Sequence, residues 1–223
     1  MVFHCLRENL PVKDEDFDKI YPEKISRLSQ RHWTSVKVAK KAAMFLAPTA
    51  DSKVMDVGSG AGKFCMVGSV TTPGHFFGVE QRQELVSVAN DVVFKHNLDR
   101  VHFINANIMH MNLKGITALY LFNPFYENID QEGCIDKSVP LSPVLYEQYE
   151  QHLFKQLDMM PPGTRLATYY MFSSQVPASY KLLEEHSFGM LRFYKKKKRT
   201  HHYMEKLINL KKGFCRKFYL ELE

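Results

Sequence analysis

The sequence predicts an α/β fold in which helices cover both faces of a mostly parallel sheet. Short runs rich in β-branched and aromatic residues, bounded by polar residues, Gly or Pro, are typical of strands. Five such runs occupy residues 53–57, 75–79, 101–105, 117–122 and 164–170. Segments with helical spacing lie between them, and strands joined through helices form right-handed crossovers that make the strands parallel.

Apolar residues spaced three and four apart predict three helices, each with one face against the sheet. Those faces are Ala39, Ala42, Ala43 and Leu46 before the first strand, Leu85, Val88, Ala89 and Val92 after the second, and Leu145, Tyr149, Leu153 and Leu157 before the fifth. Thr34 is the predicted N-cap of the first helix, which Pro48 stops. We expect this helix to cover the sheet.

The C-terminal part of the chain has a different pattern. Residues 188–195 and 214–222 are β-like, and we expect them to pair antiparallel at the sheet edge. Residues 195–217 form a strongly basic zone with interspersed aromatic residues. This zone has two interpretations, a nucleic-acid surface or a solvated edge that discourages aggregation, and the solvated edge is preferred.

Length and composition favour one compact domain, with 223 residues of which 45% are hydrophobic. No apolar run is long enough to span a membrane and no secretory signal is visible, so we expect a cytoplasmic protein. Four scattered cysteines without a C-x-x-C pair argue against zinc or redox sites, and we expect no metal. The net charge of +6 favours anionic partners.

The most informative stretch is Asp56-Val57-Gly58-Ser59-Gly60-Ala61-Gly62, between the first strand and a predicted helix. Alternating glycines allow a tight turn and let backbone N–H groups approach a ligand. Lys63 stands where a dinucleotide fingerprint needs its third glycine, and Phe64 stands where a P-loop needs Ser or Thr. Glu80, at the end of the second strand, is placed to accept both hydroxyls of a ribose. The pattern predicts a nucleoside site.

Four landmarks in this order, VMDVGSGAG, FFGVE, INANI and LYLFNPFY, resemble those of the class I S-adenosylmethionine-dependent methyltransferases. The resemblance covers roughly residues 30–223. It implies a Rossmann-like three-layer sandwich with a mostly parallel seven-stranded sheet and an antiparallel C-terminal strand. It also implies S-adenosylmethionine as methyl donor, an N-terminal extension at 1–33 and a single methyltransferase domain at 34–223.

The resemblance further implies which residues bind the cofactor. Gly58 and Gly60 would line the methionine moiety, Glu80 would hold the ribose, and Asp56 would orient the turn. Asn107 with Ile108 would flank the adenine; Asn105 competes with Asn107, which is preferred. The full implied set is Asp56, Gly58, Ser59, Gly60, Glu80, Gln81, Asn107, Ile108 and Asn123.

Asn123-Pro124-Phe125-Tyr126 follows the fourth strand. It resembles the [DN]-P-P-[YFW] motif of methyltransferases that modify planar amino or amide nitrogens, except that Phe125 replaces the second proline. Asn123, Pro124 and Phe125 are therefore expected at the edge of the methyl-transfer site, where Asn123 and the Pro124 carbonyl would bind the target N–H groups. The other interpretation is a turn that ends the strand. The acceptor, in protein, nucleic acid or a small molecule, stays open.

Residues 124–143 are expected to form a lid-like loop, since connections of this length are uncommon in compact domains. Its acidic residues, Glu127, Asp130, Glu132 and Asp136, have two interpretations, a site for a cationic substrate or a solvated surface, and the solvated surface is preferred. Trp33 is either a pocket wall or a packing residue ahead of the first helix. A noncatalytic nucleic-acid-binding module that keeps the nucleotide pocket is the alternative function, and Lys63 counts against a third, a nucleotide-dependent oxidoreductase.

Overall fold

A computed structural model describes residues 1–130 and 134–198, which contain one seven-stranded sheet of order β3-β2-β1-β4-β5-β7-β6. The strands are β1 (Lys53–Val57), β2 (His75–Glu80), β3 (Val101–Asn105), β4 (Ala118–Phe122), β5 (Arg165–Tyr169), β6 (Tyr180–His186) and β7 (Leu191–Lys196). Strands β1 to β5 pair in parallel, whereas β7 is antiparallel to both β5 and β6. The predicted class is confirmed, and the five predicted parallel strands end within one residue of the observed ones.

Helices pack on both faces of the sheet and make three layers. They are α1 (Val2–Arg7), α2 (Asp14–Asp18), α3 (Glu23–Ser26), α4 (Ser29–His32), α5 (Val36–Leu46), α6 (Lys63–Thr71), α7 (Gln83–His96) and α8 (Pro143–Met159). Apolar residues of α5, α6 and α7 share one core cluster, and those of α8 belong to the other. Within β4, Tyr120 faces the first cluster and Leu121 the second, as expected for a strand covered on both sides.

The three predicted helices are present, but the cap of α5 differs from the prediction. Ser35, not Thr34, is the N-cap, and its hydroxyl accepts a hydrogen bond from the Val38 N–H at 3.4 Å. Thr34 is buried, and its hydroxyl hydrogen-bonds the hydroxyl of Tyr120 at 2.7 Å. Thr34, which the sequence predicts as the N-cap, therefore forms a hydrogen bond with the sheet instead of capping the helix.

The predicted pairing of 188–195 with 214–222 is wrong. Residues 214–222 lie outside the described residues, but β7 already has β5 on one side and β6 on the other. β6 escaped prediction because most of its side chains are exposed, so the strand lacks the apolar alternation of a half-buried one.

The described start of the basic zone lies at the end of the sheet opposite the glycine turn. Because β7 is antiparallel, Leu191 pairs with Tyr169 at the carboxyl end of β5 and Lys195 pairs with Arg165 at its beginning. Lys196 is buried, and its ammonium donates to the carbonyls of Leu157 and Asp158 at 2.8 and 2.6 Å. Lys196 is thus a structural residue, which neither interpretation of the zone anticipated.

Helices α2 and α4 are attached to the start of α6 by one buried cation. The ammonium of Lys63, whose side chain is 2% exposed, lies 2.7 Å from Asp14 and 2.8 Å from Asp18 and donates to the Ser29 hydroxyl at 3.1 Å. Phe17 is fully buried beneath it, with the ammonium 5.4 Å from the ring centroid. A buried charge persists only with such partners, so docking of the N-terminal segment and burial of Lys63 require each other.

In the part of the chain that the structure describes, no helix combines the length and the apolar composition that a bilayer crossing needs.

We predict that Lys63→Met destabilises the protein by about 3 kcal/mol, because the buried Asp18 carboxylate loses its counter-ion. The matched control is Lys19→Met, which breaks a lysine–aspartate pair whose lysine is 75% exposed and should change stability little. Urea unfolding of both variants measures the difference. Equal midpoints for the two variants would show that the Lys63 cluster does not stabilise the fold.

Candidate functional site

The turn between β1 and α6 needs glycine for two reasons. Gly58 and Gly60 have φ of +74° and +53°, in the left-handed region that favours glycine. They also allow close approach. A Cβ on Gly58 would lie 3.3 Å from the Cβ of Pro124, and one on Gly60 would lie 2.8 Å from Nε1 of Trp33. The turn is thus pressed between the loop after β4 and the end of the N-terminal segment.

Glu80 lies at the carboxyl end of β2, beside the turn, and is buried. Its carboxylate accepts hydrogen bonds from the backbone N–H of Gly60 at 3.1 Å and of Arg82 at 2.9 Å. Burial raises the pKa of this carboxyl, while these two N–H groups and the Arg82 charge favour its ionised form. The carboxylate is held in one orientation with lone pairs left for a ligand.

Two cavities meet at Glu80. The larger, of about 250 Å³, contains five predicted positions, Gly58, Gly60, Glu80, Asn123 and Pro124. The smaller, of about 30 Å³, contains seven, Gly58, Glu80, Gln81, Asn107, Ile108, Pro124 and Phe125. Asp56 and Ser59 line a third cavity, of about 40 Å³, on the inner side of the turn. The structure therefore brings every predicted site residue to one end of the sheet.

The hydrogen bonds of Asn107 and Asn105 distinguish these two candidates for the adenine side. Asn107 lines the smaller cavity, where its Oδ1 accepts from the Met109 N–H at 2.9 Å and its Nδ2 donates to the Tyr149 hydroxyl. Asn105 instead donates from Nδ2 to the carbonyls of Glu80 and Gln81 at 3.1 and 3.0 Å. Asn105 thus holds the backbone after β2, and Asn107 is the one beside the cavity.

The residues of the Asn123-Pro124-Phe125-Tyr126 segment line both cavities, some the larger and some the smaller. Asn123 adopts a left-handed conformation, with φ of +37°, and lines the larger cavity together with Pro124. Phe125 is buried and stacks on Tyr149 with ring centroids 4.9 Å apart, so its ring faces the smaller cavity. The aromatic residue of this segment in the larger cavity is Tyr126, which is 49% exposed.

The N-terminal segment supplies a wall that the motifs did not reveal. His32 and Trp33 line both the larger cavity and the third one, which favours the pocket-wall interpretation of Trp33. Burial lowers the pKa of His32, so its ring is neutral at pH 7. The buried Nε1 of Trp33 and hydroxyl of Ser59 have no hydrogen-bond partner within the described residues. Such groups are costly unless a ligand or water satisfies them.

The loop after Pro124 is tied down rather than solvated. Arg82 is buried and donates to both carboxylate oxygens of Glu127, at 2.8 and 2.6 Å, and to Asp136 at 3.2 Å. Asp130 accepts from Arg31 at 3.4 Å. The expectation of a solvated side chain is therefore wrong for Glu127, because a buried guanidinium needs counter-charges, whereas Asp136 pairs with Arg82 but is 42% exposed. Glu132 lies outside the described residues.

Asp56 is a buried carboxyl beneath the turn. Burial raises its pKa to about 8, and the Cys65 thiol donates to Oδ2 at 3.7 Å. Of the described residues, no three His, Cys, Asp or Glu side chains are grouped as metal ligands would be. His201 and His202 lie outside the described residues.

The fold and the candidate site share three features with the class of protein that the sequence resembles. These are a Rossmann-like sheet with an antiparallel β7, a glycine turn after β1, and a carboxylate at the end of β2 between two cavities. Residues 48–136 match a family model described as a methyltransferase domain. The match and the fold agree with the class I S-adenosylmethionine-dependent methyltransferases that the sequence resembles, whose methyl donor is S-adenosylmethionine.

Solved structures share the fold. TrmN from Thermus thermophilus has a TM-score of 0.54 and 16% identity, over 77% of this chain and 52% of that one. An RNA methyltransferase from Salinibacter ruber, in complex with S-adenosyl-L-homocysteine, has a TM-score of 0.50 and 17% identity, over 74% of this chain and 93% of that one. The chain thus spans about half the length of TrmN. No curated protein matches the chain by sequence.

We predict that Gly60→Ala costs more stability than Gly115→Ala and removes most of the rise in Tm caused by S-adenosylhomocysteine. Both glycines have positive φ, so each variant bears roughly 1–2 kcal/mol of backbone strain, but an added Cβ meets Trp33 only at Gly60 and nothing within 4 Å at Gly115. Thermal unfolding with and without the ligand measures both effects. The same stability and the same ligand-induced rise in Tm in both variants would mean that Trp33 moves aside for the added Cβ without affecting the site.

The Asp56 carboxyl gives a pH-dependent prediction. In the folded chain it keeps its proton up to about pH 8, whereas at its ordinary pKa of 3.8 the unfolded chain releases that proton. Between these values the unfolded state binds fewer protons, so this carboxyl lowers stability as the pH rises. Asp56→Asn should therefore gain stability relative to the parent from pH 4 to 8. Urea unfolding across this range tests it, and parallel stability curves would contradict it.

Proposed function

We propose that the protein transfers the methyl group of S-adenosylmethionine to a planar amino or amide nitrogen of a nucleic acid. The observation that carries the proposal is the position of Asn123 and Pro124, which line the larger cavity directly against the glycine turn. The net charge of +6 favours a polyanionic acceptor, and the structural neighbour from Salinibacter ruber is an RNA methyltransferase.

The cofactor-binding residues in this proposal are Asp56, Gly58, Ser59, Gly60, Glu80, Gln81, Asn107, Ile108 and Asn123. Glu80 lines both cavities, which suits a ribose lying between a methionine end and an adenine end. The adenine end then lies on the side of Asn107 and Ile108. The unpartnered Nε1 of Trp33 and hydroxyl of Ser59 supply donors beside the turn. The residues present therefore fit the cofactor.

Asn123, Pro124 and Tyr126 are the proposed acceptor residues. The Asn123 amide oxygen and the Pro124 carbonyl each accept one N–H of the target, which aligns the nitrogen lone pair. When bound, S-adenosylmethionine would supply a sulfonium methyl for transfer to this nitrogen, whose proton would pass to water. The half-exposed ring of Tyr126 provides a flat face for a planar acceptor. Phe125 supports this edge by packing on Tyr149.

The N-terminal extension, residues 1–33, has a role in this proposal. His32 and Trp33 close one side of the larger cavity, and Arg31 contacts the loop after β4 through Asp130. We infer that the extension forms the roof of the site of the domain at 34–223. The described start of the basic zone, at the opposite end of the sheet, does not contact this cavity.

The alternative is a noncatalytic module that binds nucleic acid and keeps the cofactor pocket. Its distinguishing result is salt-sensitive RNA binding with no methyl transfer to any acceptor.

We predict that Asn123→Ala lowers methyl transfer about 100-fold or more, because the target nitrogen loses an orienting acceptor, while part of the rise in Tm with S-adenosylhomocysteine remains, because the other eight cofactor-binding positions are unchanged. Transfer of a radiolabelled methyl group to unmodified RNA transcripts and to single-stranded DNA measures it. Asn97→Ala is the control, since Asn97 is also left-handed, with φ of +50°, but caps α7.

Two outcomes decide against the proposal. Transfer by Asn123→Ala at the rate of the Asn97→Ala control would remove Asn123 from the acceptor site. A stabilising shift with S-adenosylhomocysteine and no labelled RNA or DNA would remove nucleic acid as the acceptor class.

A further inference from the structure

Three exposed aromatic side chains stand at the same end of the sheet as the larger cavity. Tyr170 follows β5 and is 50% exposed, Phe172 comes two residues later and is 78% exposed, and Phe188, between β6 and β7, is fully exposed. The Tyr170 N–H donates to the Met190 carbonyl at 3.0 Å, so the segment after β5 and the β6–β7 turn lie side by side. We call Tyr170, Phe172 and Phe188 the aromatic ledge.

A row of rings in tilted contact connects Tyr170 of the ledge with the cavity. Phe122 lines the larger cavity, and its ring centroid lies 4.9 Å from that of Tyr169 and 5.8 Å from that of Tyr170. Tyr169 and Tyr170 are themselves 4.5 Å apart. The ledge is therefore continuous with the wall of the proposed acceptor site.

The backbone holds two of these rings in a costly conformation. Tyr170 and Phe188 have φ of +54° and +56°, which bulky residues rarely adopt. Such strain persists where the surrounding structure enforces it, and it is concentrated at functional positions. Arg192 fixes the intervening segment by donating to the Met171 carbonyl at 2.9 Å, and Gln175 accepts from the Phe172 N–H at 2.7 Å. The rings are thus presented to solvent by a braced backbone.

We propose that the aromatic ledge binds unpaired bases of a single-stranded nucleic-acid acceptor and leads the target base into the larger cavity. The proposal rests on the proposed function, since it names where that acceptor binds. Stacking on aromatic side chains suits every base, because every base has a π face. The net charge of the chain, +6, attracts the phosphates in addition.

Ring exposure favours a base over an apolar peptide as the occupant. An apolar side chain is bound by being surrounded, which requires walls. Phe188 is fully exposed and Phe172 nearly so, so each offers an open face with few neighbours. An open ring face is the element that a planar base needs, and two adjoining segments offer three such faces.

The test compares the binding of a fluorescent single-stranded RNA, by anisotropy, to the full chain and to the variant Tyr170→Ala/Phe172→Ala/Phe188→Ala. We expect this variant to bind at least about tenfold more weakly, as the loss of one or more stacked bases predicts. Phe94→Ala is the matched control, because Phe94 is 87% exposed on α7, beside β2 and β3 in the other half of the sheet. Its affinity should not change.

The rise in Tm with S-adenosylhomocysteine reports on the fold of the triple variant, which should keep that rise. Equal RNA affinity of the triple variant and the parent overturns the proposal, as does tighter binding of duplex than of single-stranded RNA. Binding of an apolar peptide by the ledge, with no loss of RNA affinity in the triple variant, would assign it to a protein partner instead.

Failure of the proposed function gives a different result. RNA binding that depends on the ledge but is followed by no methyl transfer supports the ledge and overturns the catalytic assignment. Methyl transfer with the same KM for RNA in the parent and the triple variant supports catalysis and overturns the ledge.

Discussion

The N-terminal segment becomes part of the site through the ion pairs of the buried Lys63 ammonium. Lys63 follows the last glycine of the turn, and its partners Asp14, Asp18 and Ser29 come from the helices before the first strand. Because the cation and its carboxylates are stable in the interior only together, docking of these helices is coupled to formation of the turn. The same docking places Trp33 against Gly60 and His32 in the cavity wall.

Arg82 has the corresponding role on the other side of the cavity. Its guanidinium contacts Glu80 at 3.6 Å and pairs with Glu127, so the carboxylate beside the glycine turn and the loop after β4 share one counter-ion. The N-terminal segment is thus attached through the buried Lys63, and the loop after β4 through the buried Arg82. Each cation joins segments that are far apart in sequence. The polar interior of the site is organised by charge pairing, and its scaffold by apolar packing.

This difference explains which features could be predicted from the sequence. β4 is buried on both faces and carries a continuous apolar run, and in β1 the buried residues are apolar except for Asp56, so both strands are visible locally. The glycine turn and Glu80 are recognisable because their spacing is set by one β–α–β unit. Lys63 and Arg82 look like surface residues in the sequence, because the carboxylates of Asp18, Glu127 and Asp136, with which they pair, lie 45 or more residues away. No local pattern distinguishes a buried cation from a solvated one.

The arrangement of the last two strands also determines how the sheet meets its surroundings. With β7 inserted beside β5, β6 becomes the outer strand within the described residues. It carries Lys181, Glu184 and Glu185 and a register shift between Leu182 and Glu184. Charged side chains and bulges on an outer strand oppose the addition of a further strand. A second molecule could extend this sheet only by burying those charges, so the exposed hairpin can present aromatic rings without becoming a site of aggregation.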